Sequence, residues 1–400
     1  MPLFRAPKVG ILAHTNLDQT YQHSILIAAL RGLAAVEVAA AHLRSEVFPG
    51  LAGMQDPTLW YKGLAFFTGF SYHAVVVFFL LSGWLVGGSL LNKVHHPGSI
   101  TDYVVDRMTR LWIVLIPALV LTLTIAAFAG IVNPRALSFA PDNEYSVPTF
   151  AGNLFGLQDI AVQRFGGNFP LWSLANETWY YVLFPLMVLP FHGKSILART
   201  VSMAGCVLVA ASLPGSVVLY FALWLAGVAF SRIQITASTI QVAVTACTCI
   251  AIATYFRVTV SNDSLRPESF IRHIIFALPI LVLLSCLQTR ADPKRKALRF
   301  ATSAGNLLAS FSFTLYVIHV PLLVLLRNSY PPLRDGHLSP HDLGSLGIYL
   351  IMLTGILVIA YLFHLPFEAQ THRVRSFVKR KIRGAGRSNV DSGQRGRIRP

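Results

Sequence analysis

Apolar stretches close to 20 residues long recur along almost the whole chain, separated by short polar connections. A stretch of this length crosses a hydrocarbon core of about 30 Å as an α-helix. The pattern predicts an all-α fold, a polytopic integral membrane protein with a bundle of about ten transmembrane helices around a central cavity. The predicted spans cover residues 27–47, 70–92, 111–132, 176–192, 195–213, 216–231, 238–258, 270–287, 307–327 and 344–366.

The segments outside these spans define the predicted domain organisation. Residues 1–24 form a cytoplasmic N-terminal segment and residues 25–370 form the transmembrane domain. The long connector at residues 133–175 is rich in Gly, Pro, Asn and Phe, and we expect it to contain a short or re-entrant helix. Residues 371–400 are basic and poor in apolar side chains, which predicts a disordered cytoplasmic tail close to anionic headgroups.

Composition and charge support a membrane protein and give its orientation. The chain of 400 residues is 54% hydrophobic and 12% charged, whereas soluble domains average about 25% charged residues. Most of its 33 Lys and Arg residues fall on one side of the membrane if the N-terminus is inside. The positive-inside rule then places both termini in the cytoplasm of a multi-pass inner membrane protein. We therefore attribute the net charge of +16 to topology and expect no nucleic-acid partner.

The first span contains polar side chains that are costly in lipid, and such residues usually face a cavity and bind or react. Arg31 and His42 are eleven residues apart, so they share one face of a helix and lie roughly 16 Å apart along its axis. Arg31 is expected near the cytoplasmic surface and His42 beyond the midplane. The imidazole of His42 can act as a general base or as a nucleophile.

Four further segments follow in order. FFLLSGWLVG contains Ser82, and RMTR contains Arg107 and Arg110; LWSLANETWYYVLFP contains Ser173 and Glu177, and SFTLYVIHVPLL lies near the end. Together with Arg31 and His42, these motifs resemble the membrane-bound acyltransferase-3 family over about residues 25–370. Glu37 departs from the family pattern, which usually has an aliphatic residue at this position.

The resemblance implies an acyl-CoA-dependent O-acyltransferase, a transferase of groups other than aminoacyl groups. It would move an acyl group, expected to be acetyl from acetyl-CoA, to a hydroxyl of an extracytoplasmic or lipid-linked carbohydrate in the cell envelope. No permanently bound cofactor and no metal are expected. The candidate catalytic residues are His42 and Glu177, the candidate acyl-CoA ligands are Arg31, Arg107, Arg110 and Ser82, and the candidate substrate or tunnel residues are Ser173, Tyr316, His319 and Trp172.

Several of these residues also have structural interpretations. Arg107 and Arg110 suit a pyrophosphate or 3′-phosphate clamp, although two basic residues at a helix end can equally be a topology anchor. Glu177 is expected to orient His42 or to receive the acceptor sugar, or to belong to a helix-start signal with Ser173. Tyr316 and His319 lie one turn apart and suit either a tunnel wall or an interhelical hydrogen-bond pair.

Two other functions fit a polytopic chain with intramembrane charges. A transporter or flippase would move a lipid-linked saccharide or an anion without forming bonds, and such proteins often have repeated halves with broken helices. The sequence shows no internal repeat. A membrane scaffold without catalytic activity would have no need for a cavity-facing Arg31 and His42. The motifs therefore favour the acyltransferase hypothesis.

Overall fold

The computed structural model describes residues 6–132, 143–192, 195–260, 265–292 and 296–382. Most of these residues are α-helical, as the hydrophobic pattern predicts. The helices are α1 Gln22–Val47, α2 Leu59–Phe67, α3 Ser71–Ser82, α4 Gly88–Lys93, α5 Ser99–Phe128, α6 Val147–Leu154, α7 Leu171–His192, α8 Ile196–Ser212, α9 Gly215–Phe230, α10 Thr239–Thr259, α11 Phe270–Cys286, α12 Lys296–Ser310, α13 Ser312–Ser329, α14 Pro331–Arg334, α15 Leu343–His364 and α16 over residues 371–382.

Seven helical stretches in the described part of the chain are long and apolar enough to cross a membrane. They are Gln22–Val47, Leu59–Lys93, Ser99–Phe128, Thr239–Thr259, Pro267–Cys286, Ser312–Ser329 and Leu343–Ile382. Helices also occupy the other three predicted positions, but α8 and α9 have 17 and 16 residues, respectively, and α7 is interrupted by polar side chains. These helices support the prediction of a membrane protein, whereas the count of ten spans stays a prediction.

Helix α1 lies at the centre of the bundle, where α3, α11, α12, α13 and α15 pack around it. Its many alanines and Gly32 allow close helix approach, because small residues let backbones come together. A Cβ atom at Gly32 would lie 2.4 Å from the Cβ of Leu308 on α12. The polar side chains of α1 are consequently surrounded by protein.

The segment from Ser71 to Lys93 is one long helical stretch with a π-helical turn at Gly83–Gly87. The turn is pressed against α9, since a Cβ at Gly83 would lie 1.9 Å from the carbonyl oxygen of Trp224. Reciprocally, a Cβ at Gly227 would lie 2.2 Å from the carbonyl oxygen of Leu80. π-Turns often occur at functional sites, and Ser82 directly precedes this one.

The predicted span at residues 307–327 is wrong as a continuous helix. Helix α12 ends at Ser310, Phe311 has φ −115° and ψ 11°, and α13 begins at Ser312. The apolar pattern continues through this break, so hydropathy could not reveal it. The break matters because the last carbonyls of a helix have no partner within it.

A small antiparallel sheet modifies the all-α prediction. Strand β1, Lys8–Ile11, pairs with β2, Ile233–Thr236, with Lys8 opposite Thr236 and Ile11 opposite Ile233. The first strand lies in the N-terminal segment and the second in the connection between α9 and α10. The sheet therefore attaches the N-terminal segment to the bundle. The fold is otherwise mostly helical, with isolated β-bridges between Tyr21 and Arg290 and between Gln158 and Val162.

The connector at residues 133–175 contains a short helix, as expected. Helix α6 begins after Ser146, whose hydroxyl accepts a hydrogen bond from the Thr149 backbone N–H at 3.1 Å. Residues 133–142 lie outside the described part of the chain. The connector continues to Asn168, whose side-chain amide donates to the Val317 carbonyl at 2.9 Å, and thereby joins the connector to α13.

The beginning of the tail is ordered, in contrast to the predicted disorder from residue 371. Residues 371–382 form α16, which docks on α5 through Arg375 and Lys379. Lys379 lies 2.7 Å from the carboxylate of Asp106 and 3.5 Å from that of Asp102, and Arg375 lies 3.3 Å from Asp106. The acidic side chains of α5 thus give this basic segment a specific position. Residues 383–400 lie outside the described residues.

The close contact between α9 and the π-helical turn leads to a stability prediction. Gly227→Val should destabilise the protein by about 3 kcal/mol, because the new side chain would meet the Leu80 backbone and force the helices apart. Thermal unfolding of the purified protein in detergent measures the effect. Gly347→Val on α15 is the matched control, since no atom lies within 4 Å of its Cβ position. Equal unfolding temperatures for both variants would contradict this packing.

Candidate functional site

A cavity of about 320 Å³ lies between α1, α3, α5, α7, α13 and α16. Four arginines from three segments line it, and we call it the arginine cavity: Arg31 on α1, Arg107 and Arg110 on α5, and Arg375 on α16. Ser82, Ser173, Glu177, Tyr181 and Tyr316 also line it. The four predicted acyl-CoA ligands are therefore brought together, and the structure adds Arg375 to them.

Arg31 is held by the break between α12 and α13. Its Nη2 donates a hydrogen bond of 2.7 Å to the carbonyl oxygen of Ala309, one residue before the end of α12. This carbonyl is available because the helix ends there. Nε of Arg31 is buried and has no hydrogen-bond partner among the described residues. The guanidinium thus contains a buried donor without a hydrogen-bond partner in this part of the chain.

Arg107 is placed by aromatic rings. Its guanidinium carbon lies 6.0 Å from the ring centre of Tyr103 and 5.9 Å from that of Tyr181, distances at which a cation is attracted to the ring face. Its buried Nε also has no hydrogen-bond partner among the described residues. Rings position the charge without neutralising it, so the arginine cavity keeps a positive potential suited to a phosphate.

Glu177 is the acidic residue of this cavity within the described part of the chain. Ser82 Oγ donates to Glu177 Oε1 at 2.6 Å, the Tyr181 hydroxyl donates to the same oxygen, and Trp224 Nε1 donates to Ser82 Oγ at 3.1 Å. Ser82 and Glu177 therefore act as one network across α3, α7 and α9. The predicted contact between Glu177 and His42 is wrong, because the carboxylate lies in the arginine cavity and His42 does not.

His42 lines a second cavity of about 810 Å³, which we call the histidine cavity. Trp172, Phe169 and Tyr316 line it as well. The edge of the Phe169 ring packs on the imidazole of His42, with 4.6 Å between ring centres. Where the sequence predicts one central cavity, α1 thus contributes Arg31 to one cavity and His42 to another.

The tautomer of His42 is set by a hydrogen bond with a second histidine, His319, which is fully buried. His319 Nδ1 lies 3.1 Å from the Leu315 carbonyl, and His319 Nε2 lies 2.9 Å from His42 Nδ1. A carbonyl only accepts, so neutral His319 has its proton on Nδ1 and a lone pair on Nε2. His42 must then donate from Nδ1, and its own Nε2 has the lone pair. This tautomer is the one a general base needs.

Tyr316 separates the two cavities and, among the described residues, is the one that lines both. Its hydroxyl lies 2.5 Å from Ser173 Oγ, and both oxygens lie within hydrogen-bond distance of the Pro170 carbonyl, at 3.2 and 3.1 Å. Each hydroxyl has one proton, so one hydroxyl donates to the Pro170 carbonyl and the other donates to its partner hydroxyl. The ring centre of Tyr316 lies 6.0 Å from that of His319. One side chain therefore stands between the arginines and the histidine pair.

The sequence missed several cavity residues. Arg375 lies in the basic tail, where the sequence gives no reason to single out one of the many Lys and Arg residues as a cavity residue. Arg44, Arg257 and Arg266 line the histidine cavity and come from three distant segments, so no local spacing could connect them. Tyr181 follows Glu177 by four residues, a helical spacing that could have indicated the hydrogen bond between them.

No group of three or more His, Cys, Asp or Glu side chains suited to a metal ion occurs among the described residues. The four cysteines, Cys206, Cys247, Cys249 and Cys286, are unpaired. The two cavities offer cationic donors, an imidazole of defined tautomer, hydroxyl groups and the carboxylate of Glu177. These are the groups required for acyl transfer from an anionic donor.

A family model described as an acyltransferase domain matches residues 26–365. The chain belongs to the acyltransferase-3 family. This confirms the resemblance carried by the five motifs, and it indicates acyltransferase activity in a membrane-embedded, helical domain. No curated protein and no solved structure matches the chain.

Family membership favours bond formation over the transporter and scaffold hypotheses. The matched range contains every predicted site residue, from Arg31 to His319. Arg375 falls after residue 365 and reaches the arginine cavity from outside the family domain.

The docking of α16 on α5 can be tested by proteolysis. Asp106→Asn should remove the contacts with Arg375 and Lys379, and losing about 1 kcal/mol of pairing would raise the undocked population roughly fivefold. Trypsin cleavage after Lys379 and Arg380, followed by mass spectrometry of the peptides, should accelerate accordingly. Asp335→Asn, which affects an exposed pair with Arg334, is the control. An unchanged cleavage rate in Asp106→Asn would contradict the docking.

Proposed function

We propose that this acyltransferase moves an acyl group, in the simplest case acetyl, from cytoplasmic acyl-CoA to a hydroxyl of an extracytoplasmic or lipid-linked carbohydrate. The protein would be an inner membrane O-acyltransferase with both termini in the cytoplasm. The supporting observation is the arrangement along α1, in which an arginine cavity and a tautomerically fixed His42 are separated by Tyr316. A donor from one side and an acceptor from the other can meet at this side chain.

The arginine cavity suits the phosphates of acyl-CoA. Arg31 and Arg107 each keep a buried, unpartnered Nε among the described residues, and phosphate oxygens are the acceptors that guanidinium groups bind best. Arg110 and Arg375 add positive charge around the same space. The thioester end of the donor would then extend past Ser82 and Glu177 towards Tyr316.

His42 would act as the base. Its Nε2 removes the proton from the acceptor hydroxyl, and the oxygen attacks the thioester carbonyl to form a tetrahedral intermediate. Collapse of this intermediate forms the ester and breaks the C–S bond, and the CoA thiolate takes the proton back from His42. The same histidine can instead accept the acyl group on Nε2 and pass it to the hydroxyl in a second step. Both routes need the Tyr316 side chain to move away from Ser173, because the pair separates donor and base.

His319 would be a positioning residue. Its Nε2 accepts a hydrogen bond from His42 Nδ1–H, which orients the imidazole and stabilises the imidazolium that forms when His42 Nε2 takes up a proton. Its own Nδ1–H is committed to the Leu315 carbonyl. A base held by a third group is the usual arrangement of an activated histidine. The predicted tunnel role of His319 is thereby replaced by a more specific proposal.

The role of His42 is testable with labelled acetyl-CoA offered to membranes and the label followed into polysaccharide. His42→Ala should reduce transfer by at least about 10²-fold, since general-base catalysis contributes about 10²–10⁴. His319→Leu should lower kcat without changing KM for acetyl-CoA, and His319→Gln, whose side-chain oxygen can still accept from His42 Nδ1, should restore part of the loss. Protein abundance is checked for each variant.

Two results bear on this assignment in opposite ways. Transfer by His42→Ala at the wild-type rate would exclude the histidine as base and as acyl carrier. Label retained on wild-type protein in the absence of an acceptor, and lost from His42→Ala, would select the acyl-histidine route over direct transfer.

Donor binding is expected to depend on the arginine cavity. Arg107→Gln should weaken CoA binding by about tenfold or more, because a charge-assisted hydrogen bond to phosphate is lost. Arg375→Gln should have a smaller effect, since Asp106 already compensates part of its charge. Isothermal titration of CoA into the purified protein measures both. Arg199→Gln, on the exposed face of α8, is the matched control, and an equal effect there would contradict the assignment.

A further inference from the structure

The histidine cavity has a strongly basic lining. Arg44 on α1, Arg257 on α10 and Arg266 before α11 line it together with His42 and His73. No Asp or Glu side chain lines this cavity among the described residues. We propose that the histidine cavity binds a negatively charged group of the acceptor, so that the substrate of this enzyme is an anionic saccharide. This inference rests on the proposed acyl transfer and adds the chemical class of the acceptor.

Arg257 is held in position by backbone groups that leave its charge intact. Its Nε donates to the Phe66 carbonyl at 3.2 Å and its Nη2 to the Ala65 carbonyl at 2.6 Å. The guanidinium passes directly over Gly69, where a Cβ atom would lie 1.9 Å from Nε. Any other residue at this position would displace the arginine. The carbonyl groups at the end of α2 and the absence of a side chain at Gly69 thus position the Arg257 guanidinium in the wall of the cavity.

Arg44 follows His42 by two residues on the same helix and also lines the cavity. Its Nε is buried and has no hydrogen-bond partner among the described residues. Because Arg44 lines the cavity, a carboxylate or phosphate bound there would balance the charge of its guanidinium group. Arg266 is exposed at the cavity mouth and adds a third charge where an acceptor would enter.

The carboxylate of Glu37 lies near two of these arginines. Glu37 on α1 interacts electrostatically with Arg257 and Arg44, and its Oε1 accepts a hydrogen bond of 2.7 Å from the Phe70 backbone N–H at the start of α3. Negative charge at a helix N-terminus is favourable, so this carboxylate has a structural duty. Glu37 does not line the cavity, and among the described residues its lining has three guanidinium groups and no carboxylate.

The position of the cluster also argues for a ligand. In the orientation given by the charge distribution, Arg44, Arg257 and Arg266 lie on the extracytoplasmic side, where membrane proteins have few basic residues. Topology therefore does not account for them. The aromatic rings of Trp172 and Phe169 line the same cavity and offer apolar faces to a sugar ring. A saccharide with a carboxylate or phosphate would place its charge on the arginines and a hydroxyl at His42.

The test measures binding of three probes to the purified full-length protein by thermophoresis. Trigalacturonate supplies carboxylates, a glycerol phosphate trimer supplies phosphodiesters, and methyl-esterified trigalacturonate is the neutral control. At least one anionic probe should bind about tenfold tighter than the neutral one, and which of them does so identifies the kind of anion. Arg44→Gln and Arg266→Gln should each remove most of this preference, whereas Arg334→Gln on the exposed α14 should retain it.

The same preparations are assayed for CoA binding, which depends on the arginine cavity alone. Equal affinity for charged and neutral probes, the absence of binding by both anionic probes, or a preference unchanged in Arg44→Gln would each overturn the proposal. Intact CoA binding and acetyl transfer in those cases would leave the acyltransferase function standing. Anion binding together with loss of all acetyl transfer to anionic saccharides would instead count against the proposed reaction.

Discussion

Arg31 and His42 are held inside the bundle by hydrogen-bond partners on α12 and α13. Arg31 donates to the Ala309 carbonyl just before the helix break, and His42 donates to His319 about two turns beyond it. A charged or polar group without such partners would cost several kcal/mol in the membrane. The interruption at Phe311 thus sets the position of α1 along the axis of α13. This alignment places Arg31 in one cavity and His42 in the other.

One helix consequently serves two chemically different spaces. The arginine cavity combines four guanidinium groups, of which Arg375 is paired with Asp106, with a carboxylate already occupied by Ser82 and Tyr181. The histidine cavity combines an imidazole of defined tautomer with basic and aromatic side chains. Tyr316 belongs to both, so its hydrogen bonds to Ser173 and Pro170 keep the two spaces apart at rest. A membrane enzyme that joins substrates from opposite sides needs such a barrier to limit leakage and hydrolysis of the donor.

The sequence predicted the elements of this site better than their arrangement. Arg31 and His42 were recognised because their spacing puts them on one helical face, and Arg107, Ser82 and Glu177 because their motifs occur in family order. The partner of His42 was assigned wrongly, since spacing along one helix says nothing about which neighbouring helix covers a given side chain. The break at Phe311 was missed because apolar residues continue through it, and backbone conformation rather than hydropathy determines it.

Arg375 was missed for a different reason, since its ion pair is with Asp106, 269 positions earlier in the chain. It reaches the arginine cavity from α16, beyond the family domain at residues 26–365. Under the proposed function, the catalytic groups and part of the donor site would therefore be encoded in separable stretches of sequence. Changes in the tail would then adjust how firmly the nucleotide end of the donor is held while leaving the reacting groups untouched, which would give evolution a way to alter donor preference independently of chemistry.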